Sequence, residues 1–169
     1  MKKEIKPVEK RACRETVAKL AEQIWQEHYT PIIGHRQVDY MLESFQSVEA
    51  IAEQIEQGYE YYLLFFEEQP GGYLALWPNS QQGGMQLSKI YLVREYRLRG
   101  GGRKLLDFTR RLASSRGISR IWLRVNRQNS KAIEWYESQG FKIIGMDKKL
   151  IGAGFFMNDY IMELTGFER

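Results

Sequence analysis

Three consecutive glycines, Gly100, Gly101 and Gly102, stand among the basic residues Arg94, Arg97, Arg99, Arg103 and Lys104. An apolar, β-prone stretch precedes them and an amphipathic stretch follows, so they mark a strand-to-helix turn. A helix start leaves backbone N–H groups without partners and carries partial positive charge. Glycine lets that backbone approach an anion with no Cβ in the way. The combination can cradle a phosphate. The same glycines could equally serve the turn alone. Two better-defined phosphate patterns are absent: there is no G-x-x-x-x-G-K-[ST], and Arg103-Lys104-Leu105 follows the glycines where G-x-G-x-x-G would need another glycine.

Further along, Asn129 precedes a short helical pattern that contains Tyr136. Asn129 can cap that helix or bond a ligand. Tyr136 shares a helix face with Ala132 and Ile133, which directs it toward a sheet rather than water. It is either a core tyrosine or a positioned phenol. With one cysteine, Cys13, two histidines, His28 and His35, and no H-E-x-x-H, the chain offers no metal site. The lone cysteine also rules out a disulfide within the chain.

The elements that must position these groups follow from periodicity. Ile5 to Val8 reads as a first strand. Val17, Leu20, Ala21, Ile24 and Trp25 recur at helical spacing within Arg14 to His28, and Thr30-Pro31 should end that helix. Gln37 to Phe45 predicts a second helix. Ser47 predicts an N-cap for a third, which Gly58 stops. Tyr61 to Phe66 and Tyr73 to Trp77 read as strands about a turn at Gln69-Pro70-Gly71-Gly72. Pro78 to Gly84 reads as a loop, and Met85 to Val93 as the next strand. Then come a helix from Gly102 to Arg116 with Leu105, Leu106, Thr109 and Leu112 inward, a strand from Ser119 to Asn126, a helix from Ser130 to Ser138, and a strand pair, Phe141 to Lys148 and Phe155 to Leu164. This order predicts one α/β domain over residues 1–169 with helices on both faces of a sheet.

A formal charge of +4 on 169 residues is met by an ordinary solvated surface. The basic residues alternate with acidic ones in the helices, and no basic-aromatic motif appears, which argues against nucleic acid as a partner. The N-terminus, Met-Lys-Lys-Glu-Ile-Lys-Pro, has no apolar leader, and no apolar run approaches membrane-spanning length. A cytoplasmic protein with no membrane partner is the expectation.

The segment Ile90 to Arg103 resembles the signature of the GNAT N-acetyltransferase superfamily, a strand followed by [Q/R]-x-x-G-x-[G/A], here Arg97, Gly100 and Gly102. Asn126, Asn129, Ala132, Tyr136 and Gly140-Phe141 resemble the later motif of that family, at the right separation. Glu27-His28-Tyr29-Thr30-Pro31 and Asp159-Tyr160-Ile161-Met162 are similar to bacterial members, polyamine acetyltransferases among them.

The resemblance implies a single mixed, mostly antiparallel sheet whose central parallel strands splay. It implies acetyl-coenzyme A as co-substrate. Its arm would pair with Ile90, Tyr91 and Leu92, an N–H near Leu92 polarising the thioester carbonyl. Its diphosphate would sit on the amides of Leu98, Arg99, Gly100, Gly101, Gly102 and Arg103, next to Arg97, and Asn129 would bond the arm. Tyr136 would be the general acid: a phenol ordinarily titrates near 10 and a thiol near 8.5, so protonating the leaving sulfur is a mismatch of only ~2 kcal/mol. The acceptor would be a small-molecule or peptide amine, and the family allows a homodimer. One departure stands out. Many members carry a glutamate on one of the splayed strands, whereas this chain has Gln86, Ser88 and Arg124 there, so the general base stays open. Glu27, His28 and Tyr29 would border the acceptor cleft. The alternatives are an acyl-coenzyme A binding module with little turnover and, less in keeping with the charge pattern, a nucleic-acid binder.

Overall fold

The computed structural model describes residues 1–78 and 83–167, so the expected loop over Pro78–Gly84 falls largely outside the described residues. Two compact units are distinguished: Met1–Pro78 with Leu87–Thr109, and Asn79–Gln86 with Arg110–Arg169.

The first unit holds β1 (Lys3–Pro7), α1 (Arg11–His28), α2 (Thr30–Ile33), α3 (His35–Phe45), α4 (Val48–Gln57), β2 (Glu60–Phe66), β3 (Gln69–Trp77), most of β4 (Met85–Leu92), a 3-10 turn at Arg94–Tyr96 and the start of α5 (Gly101–Ser115). The apolar stripe of α1 is buried throughout: Val17, Leu20, Ala21, Ile24 and Trp25. Thr30-Pro31 does not simply end α1; it opens the single turn of α2, where a proline near the start loses no needed N–H. Ser47 Oγ accepts from Ala50 N at 3.1 Å, and Gly58 closes α4 in the left-handed region, as the cap signals predict. β1 and β2 are antiparallel, as are β2 and β3.

The β2–β3 turn is displaced from its predicted place. Phe66 pairs with Gln69, so the chain reverses at Glu67-Glu68, with Glu67 at φ 55°. Gly71 and Gly72 lie inside β3 because nothing larger fits there. A Cβ on Gly71 would come 2.5 Å from the Phe66 ring, and one on Gly72 2.7 Å from Tyr91 O.

The second unit holds the start of β4, the end of α5, β5 (Arg120–Asn126), α6 (Ser130–Ser138), β6 (Lys142–Gly152) and β7 (Phe155–Thr165). β7 is antiparallel to both β5 and β6. The seven strands are ordered β1-β2-β3-β4-β5-β7-β6. β4 and β5 form the parallel pair, and their ladder stops after Met85↔Ile121 and Gln86↔Trp122, although β4 runs on to Leu92. The inward face of α5 shifts slightly from expectation: Leu105, Leu106, Thr109 and Ala113 are buried, while Leu112 is half-buried.

Candidate active site

In the first unit the aromatic ring of Phe66 is a platform. Tyr96 stacks on it with centroids 4.1 Å apart and planes 6° apart. Gly101, the first residue of α5, sits against the same ring: a Cβ there would meet Phe66 Cζ at 2.7 Å, Leu92 Cδ2 at 3.0 Å and Leu64 Cδ2 at 3.2 Å. Gly101 is therefore required by packing under the helix start. Gly100 differs. Its φ of +79° demands glycine, yet its Cβ position is open, with Lys3 Nζ nearest at 3.8 Å. Arg97 Nε donates to Leu92 O at 3.3 Å, tying the loop to the end of β4. The structure thus brings Ile90, Tyr91 and Leu92, all half-buried on β4, together with residues 97–103.

Arg97, Leu98, Arg99, Gly100 and Arg103 are exposed. The hydrogen bond Lys104 N to Gly100 O, 3.0 Å, opens the helical series. The amides of Gly101, Gly102 and Arg103 precede it, and the dipole and arginine side chains favour an anion there.

The segment Glu27-His28-Tyr29 reaches Tyr91 on β4 through aromatic contacts. Trp25 stacks on Tyr29 at 4.3 Å, and both rings present edges to Tyr91, at 5.5 and 6.1 Å. His28 packs edge-on against Tyr29 at 4.8 Å.

Sequence reasoning missed Lys89, which lies one residue before Ile90. Its side chain is buried, and Nζ donates to Phe45 O at 3.0 Å, Gln54 Oε1 at 3.0 Å and the Tyr61 hydroxyl. Burial lowers its pKa to about 7 and pushes the Tyr61 phenol well up.

In the second unit Asn129 is buried and is the N-cap of α6, its Oδ1 accepting from Ala132 N at 3.4 Å. Tyr136 is buried on that helix, edge to face with Phe141 at 5.6 Å, and so lies away from water as its spacing predicts. The β5–β7–β6 register gathers further groups on one sheet face. Trp122, Arg124 and Asn126 of β5 share it with Glu163, Ile161 and Asp159 of β7 and Asp147 of β6. Arg120 pairs with Glu163 at 2.7 Å and Arg124 with Asp147 at 3.3 Å, and the Arg124 guanidinium stands 5.1 Å over the Trp122 ring. Asp159 is the buried acid of this set. In the sequence Asp159 entered only as the first residue of Asp159-Tyr160-Ile161-Met162, and nothing local marked it as buried. Among the described residues no group of three metal-ligating side chains forms.

The pattern that defines the acetyltransferase (GNAT) family matches residues 18–141. Over 78 residues the chain is 37% identical to an uncharacterised N-acetyltransferase of Mycobacterium tuberculosis (strain ATCC 25618 / H37Rv), a match covering 46% of this chain and 49% of that protein. The chain thus spans about half the length of the curated relatives it matches. Among solved structures it is similar to the PaiA N-acetyltransferase from Thermoplasma acidophilum in complex with coenzyme A, with TM-score 0.83 and 24% identity over 98% of this chain and 99% of that one. It is also similar to the ribosomal-protein-S18-alanine N-acetyltransferase from Escherichia coli, with TM-score 0.72 and 19% identity over 99% and 96%.

Proposed function

The chain belongs to the acetyltransferase (GNAT) family, and on that footing we propose that it transfers an acetyl group from acetyl-coenzyme A to a primary amine. Acetyl-coenzyme A supplies an activated acetyl thioester and an anionic diphosphate handle. The observation that carries the reading is the exposed loop of residues 97–103 seated on Phe66 and joined to Leu92. The amides of Gly101, Gly102 and Arg103 at the start of α5 and the arginines of the loop fit a diphosphate, and the nearest side-chain atom to the Cβ position of Gly100 is the cationic end of Lys3, at 3.8 Å.

In this reading the amides of Leu98 and of Gly100 to Arg103 hold the diphosphate, the Arg99 N–H being already given to Tyr96 O at 3.2 Å, and the side chains of Arg97, Arg99 and Arg103 surround it with positive charge. The backbone of Ile90, Tyr91 and Leu92 orients the acyl-bearing arm, an N–H near Leu92 facing the developing oxyanion. Asn129 bonds the arm. Tyr136 gives its phenolic proton to the leaving sulfur. Its burial supports that role by keeping competing water from the hydroxyl.

The acceptor class is tested directly. Protein, acetyl-coenzyme A and a panel of amines are mixed, and free thiol is followed. The panel includes alkylamines, diamines, amino acids and a peptide with N-terminal alanine, the last because one structural neighbour acts on a ribosomal-protein alanine. Thiol release with at least one amine is expected. Release at the uncatalysed rate with all of them, while acetyl-coenzyme A still raises thermal stability, would identify a binding module without turnover. With ligand at ~100 times its dissociation constant the stabilisation should be ~2.7 kcal/mol.

A further inference from the structure

The family pattern left the proton acceptor for the amine without a residue, and the β5–β7–β6 face supplies one. We propose that Asp159 is the general base that takes the proton from the acceptor's ammonium group, with Arg124 and Asp147 setting its basicity. The proposal rests on the acetyl-transfer reading above.

Three observations carry it. First, Asp159 lies beside the turn that leads into α6. It pairs in register with Asn126, the last residue of β5, while Asn158 O accepts from Arg127 N at 3.1 Å and Asn126 O accepts from Asn129 N at 3.0 Å. The acid is therefore anchored to the segment that carries Asn129 and then Tyr136. Second, Asp159 is 4% exposed, and no other acid among the described residues is buried. A carboxylate taken out of water is costly unless a cation or donors compensate it. Third, the charges around it do not balance. Arg124 of β5 and Asp147 of β6 are the charged groups that act on it, and Arg124 already pairs with Asp147. One guanidinium serves two carboxylates. An ammonium group brought to this face supplies the missing cation.

The basicity agrees with the geometry. Burial raises the Asp159 carboxyl to about 6, Arg124 pulls it down and Asp147 pushes it up. An ordinary carboxyl near 4 would be a poor base toward an ammonium at neutral pH, and raising it narrows the gap. The step balances. An N–H bond of the ammonium breaks and an O–H bond forms on Asp159. The freed lone pair makes the C–N bond as the C–S bond breaks. A second proton from nitrogen ends on sulfur by way of Tyr136, and the Asp159 proton passes to water.

The test is a kcat/KM profile against pH with butylamine and with trifluoroethylamine, which is neutral at pH 7 and needs no base. Asp159→Asn should lower kcat/KM for butylamine about 10²-fold and for trifluoroethylamine far less, with acetyl-coenzyme A affinity by titration calorimetry unchanged. Should Asp159→Asn fail to fold, the neighbours decide the matter. Asp147→Asn should move the acidic limb of the profile to lower pH and Arg124→Gln to higher pH. The carboxyl carbon of Asp159, followed by NMR in the free protein, should titrate with the same shifts. Equal loss for both amines, or an acidic limb unmoved in both neighbour variants, overturns the assignment and leaves acetyl transfer intact. No turnover by the wild type with any amine removes the acetyl-transfer reading itself, and the assignment with it.

Discussion

Each unit of the protein buries an ionisable side chain, and the two are treated in opposite ways. Lys89 is surrounded by oxygen acceptors that carry no charge: a helix-end carbonyl, an amide and a phenol. Asp159 sits by a guanidinium that another carboxylate already shares. Three acceptors satisfy the Lys89 amine, and the Tyr61 hydroxyl that receives one of its bonds donates in turn to Gln54 Oε1. That arrangement joins the end of α3, α4 and β2 to β4, and it has a structural purpose. The Asp159 arrangement lacks a balancing cation, and that is where the proposed chemistry enters. A buried ionisable group with complete hydrogen bonding marks a fastener, and one whose neighbouring charges do not balance marks a place where a cation would be welcome.

The sharpest way to break this contrast is Lys89→Ala. It leaves the Phe45 carbonyl, Gln54 and Tyr61 without their shared donor, and should cost about 3 kcal/mol in urea unfolding at pH 8. A loss near zero would mean that the fastener holds nothing. Next comes Asp159→Asn, which should raise stability at pH 7 by about 2 kcal/mol, because the wild type holds a desolvated carboxylate there. A stability gain joined to an activity loss is the mark of a functional residue; a loss of both would place Asp159 with Lys89.

The pH dependence then separates the two residues by sign. Lys89 has a folded pKa of about 7 against 10.5 unfolded, so between those values the unfolded chain binds the extra proton. Stability should rise with pH across that window, by at most about 1.4 kcal/mol per unit, and Lys89→Met should flatten the rise. Asp159 has a folded pKa of about 6 against 3.8, so the native state holds the extra proton between them. Stability should fall as pH rises from 4 to 6, with a similar limiting slope, and Asp159→Asn should remove that fall. A thermal or urea series in matched buffers reads both. The smallest effect is expected at Gly100→Ala, about 1 kcal/mol of backbone strain from its positive φ, with little steric conflict at the Cβ. A larger loss of coenzyme affinity than of stability would tie that backbone to the diphosphate.

Local signals in the sequence were reliable where the physics is local. Ser47 and Gly58 delimit α4, Asn129 caps α6, and the glycine run opens α5. Glycine misled where its reason was distant. Gly71 and Gly72 read as a turn, but they are in β3 to admit the Phe66 ring and the Tyr91 carbonyl, contacts that no local pattern reveals. Lys89 and Asp159 were hidden for the same reason. Lys89 is an ordinary lysine until α3, α4 and β2 are brought over it. Asp159 becomes a shared-charge site only once β5 and β6 flank β7 in register. The chemistry proposed for the loop was legible because one stretch of chain carries it whole. The proposed base was not, because its environment is assembled from three strands.

The seat of Gly101 on Phe66 has a consequence for how tightly an anion could be held. The helix start is wedged against an aromatic ring and two leucines, so its amides are aimed before any ligand comes. Ordering that would otherwise be charged against association has already been met when the chain folds. A bulkier ring at position 66 would tilt the helix start, and its signature would be a faster release of the nucleotide end of the ligand, at a residue that never meets it.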